Sequence, residues 1–294
     1  MTSIYGKGGI FKQNDHGLVL YAMEEFLNYF AALTTVQKIT WVGFCLLFFF
    51  ILEQIIPLVR HDYNRLKHDG MNLLLLVMLM IINVGFGALL VRVTLWTSNA
   101  GFGILNWVEL PTWAALLISF VALDLVSQYF AHYLLHRVKW MWKLHLVHHS
   151  DTKVDLTTGV RQHPIEFVLR EGLALITFIL FGMPVSFYLF YRIITIFFTY
   201  WTHANIGLPK GVDKVLSYVI ITPNTHKFHH HFERPWTDTN FGNVLSIWDR
   251  MFGTFTYGDT SEIQYGLDVT DGSRDEDIKY QLGLPFNKSI KTDY

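Results

Sequence analysis

Histidine is the residue type whose spacing most clearly points to chemistry in this chain. The sequence spells H-x-x-H-H twice, at residues 145–149 and 226–230, and it carries an H-x-x-x-H pair at His132 and His136. On a helix, each of these spacings places its imidazoles on one face, about one turn apart. Neutral imidazole is the commonest side-chain ligand for metal ions. These three groups, which we call the histidine boxes, therefore predict a metal site.

A lone histidine, His203, ends a long apolar segment and completes the set of candidate ligands. Each imidazole supplies one nitrogen, so two metal ions with about four or five protein ligands each would use about eight to ten histidines. The candidates are His132, His136, His145, His148, His149, His203, His226, His229 and His230.

Polar residues near the boxes are predicted to orient the imidazoles. Asp124 and Gln128 precede His132 and His136 at four-residue steps, so on one continuous α-helix they would accept an imidazole N–H. Further candidates for a supporting role at the site are His163, Asn240 and Asp249.

Three smaller predictions concern the neighbours of the boxes. Asp249 and Arg250 are expected to form a buried ion pair that fixes the C-terminal segment against the site. His231 is expected to lie outside the site, because His230 fits the H-x-x-H-H spacing better. The histidines of the polar connections are also expected to lie outside it: His16, His61 and His68.

The elements that position the boxes are predicted from composition to be membrane helices. The 294 residues are 51% hydrophobic and only 16% charged, whereas soluble domains are about 25% charged. The mean hydropathy is +0.29. A net charge of −1 gives no basic excess that would suggest nucleic acid as a partner. The single cysteine, Cys45, can form neither an internal disulfide nor an iron–sulfur site.

Three segments have the length and apolarity to cross a bilayer, which needs about 20 residues. They are residues 39–59, 71–91 and 112–136. Residues 165–200 are also apolar but are broken at Gly182-Met183-Pro184, which predicts a helical hairpin that enters or crosses the bilayer. Arg192 in its second arm should face protein or water, because a charge against lipid is costly.

Basic residues predict the orientation of these helices. They are concentrated in residues 60–67 and between His136 and Arg170, and such loops usually face the cytoplasm. We therefore predict an integral membrane protein, in a bacterial inner membrane or the endoplasmic reticulum, with its active site on the cytoplasmic side. The predicted fold class is all-α, an integral-membrane helical bundle with a cytoplasmic histidine-lined cap for two metal ions.

The chain divides into four predicted regions. Residues 1–34 form an N-terminal polar or amphipathic segment, and residues 35–111 hold two transmembrane helices. Residues 112–258 form the catalytic region with all the boxes. Residues 259–294 are acidic and polar, and we expect them to form a solvated C-terminal extension.

Six motifs resemble, in order, those of the fatty acid hydroxylase/sterol desaturase superfamily. They are "DLVSQYFAHYLLHR", "HLVHHSD", "TTGVRQHPIE", "THANIGLP", "TPNTHKFHHH" and "DTNFGNVLSIWDRMFGTF". The resemblance covers residues 114–258, roughly half of the chain. Its last motif is similar to the branch of sterol desaturases, sterol methyl oxidases and alkylglycerol monooxygenases. The alkylglycerol monooxygenases carry an acidic residue after the first box, where this chain has Arg137.

The resemblance implies a membrane-bound, non-haem di-iron enzyme that uses O2 and two electrons to hydroxylate or desaturate a C–H bond of a lipid. It implies two iron ions as cofactors, the nine histidines as their ligands, and a separate cytochrome b5-like or ferredoxin-like donor with its reductase. The residue types alone leave the metal open, because imidazole suits zinc, copper, iron and nickel. Sterol, carotenoid and fatty acyl substrates also remain open.

Other classes of protein are alternatives to this interpretation. A metal transporter or other metal-binding protein without redox catalysis should place polar ligands inside its spans, whereas residues 71–91 are apolar. A b-type cytochrome would need histidines near the middle of the bilayer. A non-catalytic relative remains possible. The aromatic run at Phe197, Phe198, Tyr200 and Trp201 fits either a groove for the substrate or ordinary packing.

Overall fold

The computed structural model describes residues 17–60, 63–260 and 263–292, and for residues 17–22 it describes only the backbone. Within these ranges the chain is helical and contains no β-strand, only two isolated bridges. The predicted all-α class is therefore confirmed. His16 and His61, which were assigned to polar connections, lie outside the described residues.

The N-terminal part consists of three helices: α1 (Gly17–Ala31), α2 (Thr35–Ile55) and α3 (Arg65–Ala100). Helix α2 begins earlier than predicted because Thr34 caps its N-terminus, and it ends at Ile55. The Thr34 hydroxyl accepts from the Gln37 amide at 3.2 Å, and the Gln37 side chain accepts from the Thr34 amide at 2.9 Å. Helix α3 continues well beyond the predicted residue 91 and ends at Gly101, which has a φ of 59°.

Among the described residues, three helical segments are long and apolar enough to cross a membrane. They are Thr35–Ile55, Arg65–Trp107, which includes the short helix α4 (Ile104–Trp107), and Thr112–Arg137. The three predicted spans are confirmed in number and approximate position.

The third span is not one regular α-helix. It consists of α5 (Thr112–Leu123), a π-helical turn (Asp124–Phe130) and α6 (Ala131–Arg137). A π-turn holds more residues than an α-turn, so side chains four residues apart no longer lie in one line across it. The predicted alignment of Asp124 and Gln128 with the first box assumed regular α-helix and is wrong for that reason.

The predicted hairpin is formed by α8 (Pro164–Phe181) and α9 (Val185–His203). Gly182 ends α8 with a φ of 62°, and a Cβ atom there would lie 2.4 Å from the Phe102 carbonyl oxygen. Only glycine fits this turn without strain. The Arg192 guanidinium pairs with the Glu171 carboxylate at 2.8 Å, so Arg192 faces protein as predicted.

Shorter helices lie at the end of the bundle that carries the histidines. They are α7 (Lys139–His149), α10 (Lys210–Leu216), α11 (Pro223–His229), α12 (Ile247–Met251), α13 (Ile278–Gly283) and four 3-10 turns at Leu156–Val160, Trp236–Asp238, Gly272–Arg274 and Leu284–Phe286.

Glu53, at the end of α2, joins this layer to the membrane helices. Its buried carboxylate accepts from the amides of Leu156 at 2.7 Å and Asn205 at 2.8 Å, and it pairs with Arg65. Glu53, a charged residue within the predicted span 39–59, therefore anchors two loops of the site layer.

The described part of the C-terminal region is folded and is not a solvated extension, so that expectation is wrong. Leu284 and Ile290 are buried against Trp142 and Leu146 of α7. The buried Arg161 guanidinium also donates to the carbonyl oxygen of Asp275 at 2.7 Å. A few apolar residues within an acidic sequence are sufficient to hold it under α7, because each buried side chain contributes about 1.5–3 kcal/mol.

Candidate metal centre

The structure brings all nine predicted histidines together in two groups. In each group, the potential ligand atoms lie within 4.8 Å of one another, and all nine residues are buried. The five-histidine cluster consists of His132, His136, His145, His149 and His229. The four-histidine cluster consists of His148, His203, His226 and His230.

Both H-x-x-H-H boxes are divided between the two clusters. Helix α7 gives His145 and His149 to the five-histidine cluster and His148 to the four-histidine cluster. At α11, His229 joins the five-histidine cluster, while His226 and His230 join the other. Within one box, residues i and i+3 or i+4 lie on one helical face but point to different neighbours, so two boxes can link two adjacent sites.

The Nε2 atoms of the clusters point toward one another. The Nε2–Nε2 distances are 3.0 Å for His132 and His145, and 3.2 Å and 3.0 Å from His149 to His136 and His229. In the second cluster, His203 Nε2 lies 3.2 Å from His148 Nε2 and 3.0 Å from His226 Nε2.

Four of the five Nδ1 atoms of the five-histidine cluster bond outward, and that of His149 has no hydrogen-bond partner in the described part of the chain. His145 Nδ1 lies 2.9 Å from Glu166 Oε1, and His136 Nδ1 lies 3.3 Å from Asp238 Oδ1. The other two are held by backbone: His132 Nδ1 donates to the Phe241 carbonyl and His229 Nδ1 to the Thr239 carbonyl, each at 2.8 Å. An Nδ1–H that donates outward leaves Nε2 as the free lone pair.

The four-histidine cluster has a different outer layer. His203 Nδ1 donates to the Thr199 carbonyl at 2.7 Å, and His148 Nδ1 to the Arg161 carbonyl at 3.2 Å. His226 Nδ1 and both ring nitrogens of His230 are buried without a hydrogen-bond partner in the described part of the chain.

Burial keeps these imidazoles neutral. Desolvation, followed by the neighbouring imidazoles, lowers the pKa of His145 and His149 well below the ordinary value, and desolvation together with His203 does the same for His148. The pKa values of His226 and His230 are lowered in the same way, with desolvation as the main cause. A neutral imidazole is the form that binds a metal ion.

The two clusters fit metal ions. Two nitrogens about 2.0–2.1 Å from one ion and at right angles to each other would lie about 3 Å apart, which matches the Nε2 distances. A cation would also give a partner to one of the two unsatisfied His230 nitrogens, whose burial alone is costly. The donor set is entirely imidazole, which suits zinc, copper, iron or nickel.

Two of the predicted orienting residues contact other partners. Asp124 accepts from the Trp248 indole N–H at 2.8 Å and from the Leu245 amide at 3.3 Å, so it holds the C-terminal loop and not an imidazole. Gln128 is half-buried and lies beside Tyr191. His163 caps α8, where its Nδ1 accepts from the Ile165 amide at 3.2 Å.

Asp249 and Asn240 act on the loop that orients the histidines. Asp249 accepts from the amides of Phe241 at 2.7 Å and Gly242 at 2.9 Å, and so fixes the carbonyl to which His132 donates. Asn240 donates to the Thr225 carbonyl at 2.7 Å from the neighbouring position. Both are placed to position the site through the loop.

The prediction of an ion pair between Asp249 and Arg250 is wrong, because each side chain contacts other groups. The exposed Arg250 guanidinium donates to the Ser217 carbonyl at 3.0 Å and lies 3.7 Å above the centre of the Phe255 ring. The Asp249 carboxylate fixes the segment through backbone amides instead, because it is buried and the guanidinium reaches the surface.

Glu166 and Asp238 are the residues that the sequence analysis missed. Glu166 lies in the first turn of α8, four residues before Arg170, whose Nε donates to it at 2.9 Å. Glu166 ends the motif "RQHPIE", in which only His163 was predicted to support the site. Asp238 follows the third box in a 3-10 turn, and no periodic pattern marks it.

The other described histidines lie apart from the two clusters. His231 accepts from the Gln264 amide at 3.0 Å through Nδ1. His68 is fully buried, with its Nε2 2.9 Å from Asp151 and its Nδ1 3.3 Å from Asp155, in a third group of possible ligands with Asp69. His68 was expected in a polar connection. Its burial follows from the packing of α3 against the 3-10 turn Leu156–Val160.

The aromatic run before His203 packs against α2. The Phe197 and Phe49 ring centres lie 5.0 Å apart, and the Trp201 indole donates to the Ile221 carbonyl at 2.8 Å. Tyr200 is buried in the same cluster. These contacts correspond to ordinary packing, which was one of the two alternatives.

Comparisons with known proteins agree with this geometry. Residues 116–254 match the fatty acid hydroxylase family model. The alkylglycerol monooxygenase of Homo sapiens is 30% identical over 167 residues, 55% of this chain and 34% of that protein. The ornithine lipid hydroxylase OlsE of Rhizobium tropici is 32% identical over 127 residues, 43% of this chain and 38% of that protein.

The chain spans about a third of the length of these curated relatives. No solved structure is significantly similar to it. The matched region contains the nine clustered histidines together with Glu166, Asp238 and Asp249. This region of the chain matches the fatty acid hydroxylase family.

Proposed function

We propose that this chain is a membrane-bound di-iron oxygenase that uses O2 to hydroxylate a C–H bond of a lipid. The observation that carries the proposal is the division of nine buried histidines into two adjacent clusters at the end of a membrane helix bundle. The family match supports the same conclusion. Desaturation is the alternative outcome, since it begins with the same hydrogen abstraction.

The nine histidines are proposed as the ligands of two iron ions, five in one cluster and four in the other. Iron, when bound there, would supply the activation of O2, which redox-inert zinc would not. A cytochrome b5-like or ferredoxin-like protein is the proposed source of electrons, and the one thiol of the given residues, Cys45, could not itself hold an iron–sulfur cluster.

The protein's own groups would hold and shield this chemistry. Glu166, Asp238 and four backbone carbonyls would fix the imidazoles with Nε2 pointing inward. The Phe241 ring lies 5.1 Å from the His136 ring, and the buried Trp142 ring lies 4.7 Å from it. These apolar walls would exclude water from the five-histidine cluster.

The relatives favour hydroxylation of a polar lipid over the other substrate classes. One is named for alkylglycerol and the other for ornithine lipid. Such lipids would reach the site from the bilayer, where α2, α3 and the hairpin meet the histidine layer. Arg137 remains the departure that argues against alkylglycerol itself as the substrate.

The proposed catalytic region is residues 112–258, and the basic residues between His136 and Arg170 support a position on the cytoplasmic side. A Lys139→Cys variant tests this placement, because Lys139 is exposed and the native Cys45 is fully buried. A membrane-impermeant maleimide should label it in inverted membrane vesicles only. Labelling of intact cells would contradict the topology.

Lipid mass spectrometry of a host with and without the chain tests the function itself. Hydroxylation should give a lipid that is heavier by one oxygen atom, and desaturation one that lacks two hydrogens. The His148→Ala variant is the control and should give neither product. Metal flux into vesicles without any lipid product would favour the transport alternative and contradict the enzyme.

A further inference from the structure

We propose that an acidic one-electron carrier docks on the surface formed by residues 137–143 and 233–238, and that electrons enter the five-histidine cluster there. We call this surface the Asp238 face. The proposal rests on the proposed function, because only a redox site needs a carrier.

On the Asp238 face, two exposed cations lie one side chain away from a cluster histidine. Asp238 Oδ1 holds His136 Nδ1 at 3.3 Å. Asp238 Oδ2 lies 3.5 Å from the Arg137 guanidinium and 3.7 Å from that of Arg234. Both arginine side chains are 45% exposed, while Asp238 is only 10% exposed. One side chain therefore separates the surface from a candidate ligand.

A second contact runs from the same segment to the cluster. The Trp142 ring is buried, with its centre 4.7 Å from that of His136 and 5.3 Å from that of His149. The Asp238 face thus touches two members of the five-histidine cluster from outside. The other carboxylate on the cluster, Glu166, leads to Arg170, whose side chain is only 13% exposed.

The charge of the Asp238 face fits an acidic partner. The two stretches carry two net positive charges, since they contain four cations and two carboxylates. The cations are Arg137, Lys139, Lys143 and Arg234, and the carboxylates are Glu233 and Asp238. The whole chain carries −1, so this excess is local. Trp140 and Trp236 are 56% and 39% exposed and add apolar surface beside the cations. A charged rim around exposed aromatic rings is typical of transient interfaces.

The electron requirement defines the partner. When one atom of O2 enters a C–H bond and the other leaves as water, two electrons and two protons are consumed. Two carriers, each oxidised by one electron, would supply the electrons in succession, and the protons would come from water. A carrier that binds briefly through screened charges can leave after one transfer, which this sequence needs.

The test measures the binding of oxidised plant-type [2Fe–2S] ferredoxin, an acidic carrier, to the full chain in nanodiscs of neutral phosphatidylcholine. Removal of two charges in the double variant Arg137→Gln/Arg234→Gln should raise the Kd about tenfold at low salt, since steering by local charge is worth tenfold or more. The same change is expected in metal-free and metal-loaded protein.

Matched variants separate the site from general charge. Lys210→Gln/Lys214→Gln removes two exposed cations from α10 and should leave the Kd within about twofold of the wild type. Arg137→Lys/Arg234→Lys should restore most of the affinity. In metal-loaded protein, reduction by ferredoxin should slow by the same factor as binding, while reduction by dithionite stays within about twofold.

Equal Kd values in all variants would overturn the Asp238 face, even if metal content and lipid hydroxylation support the enzyme. A loss of affinity that appears only in bilayers with anionic phosphatidylglycerol would mean that the arginines bind lipid headgroups, and would also overturn it. Charge-dependent ferredoxin binding by a protein without metal or product would uphold the docking surface and contradict the proposed function.

Discussion

The two histidine clusters differ in the groups that accept hydrogen bonds from their Nδ1 atoms. In the five-histidine cluster, two carboxylates hold Nδ1 atoms: Glu166 at His145 and Asp238 at His136. In the four-histidine cluster, the outward partners are the carbonyls of Thr199 and Arg161, and neither ring nitrogen of His230 has a partner among the described residues. Carboxylates thus hold two imidazoles of the five-histidine cluster, whose other described Nδ1 partners are backbone carbonyls. The described partners in the four-histidine cluster are carbonyls alone.

This difference predicts unequal metal sites. A carboxylate behind an imidazole raises its basicity and fixes its orientation. The five-histidine cluster should therefore bind its ion more tightly, with more protein ligands. The four-histidine cluster should leave more coordination positions open, as expected of a site that takes part in the reaction. We infer that the first ion has the larger structural role and the second is the more exchangeable.

The strongest test of this comparison removes one candidate ligand from each cluster. His148→Ala leaves three histidines in the smaller cluster, and His229→Ala leaves four in the larger one. Lipid product should be lost in both. Metal analysis should find about one ion per chain in His148→Ala and more than one in His229→Ala, because the larger cluster keeps four ligands.

His231→Ala is the matched control, since His231 lies next to His230 but bonds to Gln264. It should keep two ions and its activity. Equal metal loss in His148→Ala and His229→Ala would mean that the two clusters do not differ in affinity. Two ions and full turnover in both would contradict the ligand assignment.

An intermediate effect is expected at Glu166. Glu166→Gln keeps the shape of the side chain but removes the charge behind His145. The affinity of the five-histidine cluster should fall about 10–100-fold, the usual cost of an altered outer partner. Metal competition with a chelator measures this, and the second ion should be retained with nearly unchanged affinity.

Glu109→Gln is the control for Glu166→Gln, because Glu109 is exposed in the connection before α5. It should change neither ion. If Glu166→Gln lowered the metal affinity of both clusters to the same extent, its effect would be general destabilisation. That result would contradict the predicted difference between imidazoles held by carboxylates and those held by carbonyls.

The smallest effect is expected at Asp249, which acts on the five-histidine cluster through the loop. Asp249→Asn places an amide N–H against one of the two backbone amides, so one buried bond is lost at a cost of about 1–3 kcal/mol in the free energy of unfolding. Thermal unfolding should show a lower Tm. The affinity of the five-histidine cluster should fall only severalfold.

Thr254→Val removes another bond to the same carboxylate, at 2.7 Å, without disturbing the two amides. It should lower the Tm less and leave the metal affinity unchanged. A variant at Asp249 that lost stability but kept every metal constant would show that the loop supports the fold and not the His132 imidazole.

The boxes and the spans were predictable because both depend on local periodicity. The spacing of three and four residues placed His145, His148 and His149 on one helical face, and a run of apolar residues identified α2 and α3. The hairpin turn was also predictable, because Gly182 and Pro184 end and begin helices for steric reasons. These signals need no knowledge of distant parts of the chain.

The supporting residues were not predictable for the opposite reason. Asp124 was placed behind the first box by counting fours along a regular helix, and a π-turn changed the direction of its side chain. Asp238 lies 102 positions from the His136 ring that it holds, and Glu166 lies 21 positions from His145. No periodicity connects residues so far apart in the sequence.

The sequence alone determined that this protein is a helical membrane protein with nine candidate histidine ligands, since hydropathy and helical spacing are properties of neighbouring residues. Only the tertiary structure decided how those histidines divide, five and four, and which groups stand behind each. Each box is divided between the clusters because α7 and α11 approach each other with their histidine faces inward. That approach is set by the packing of α9, the 3-10 turn Leu156–Val160 and the C-terminal segment around them.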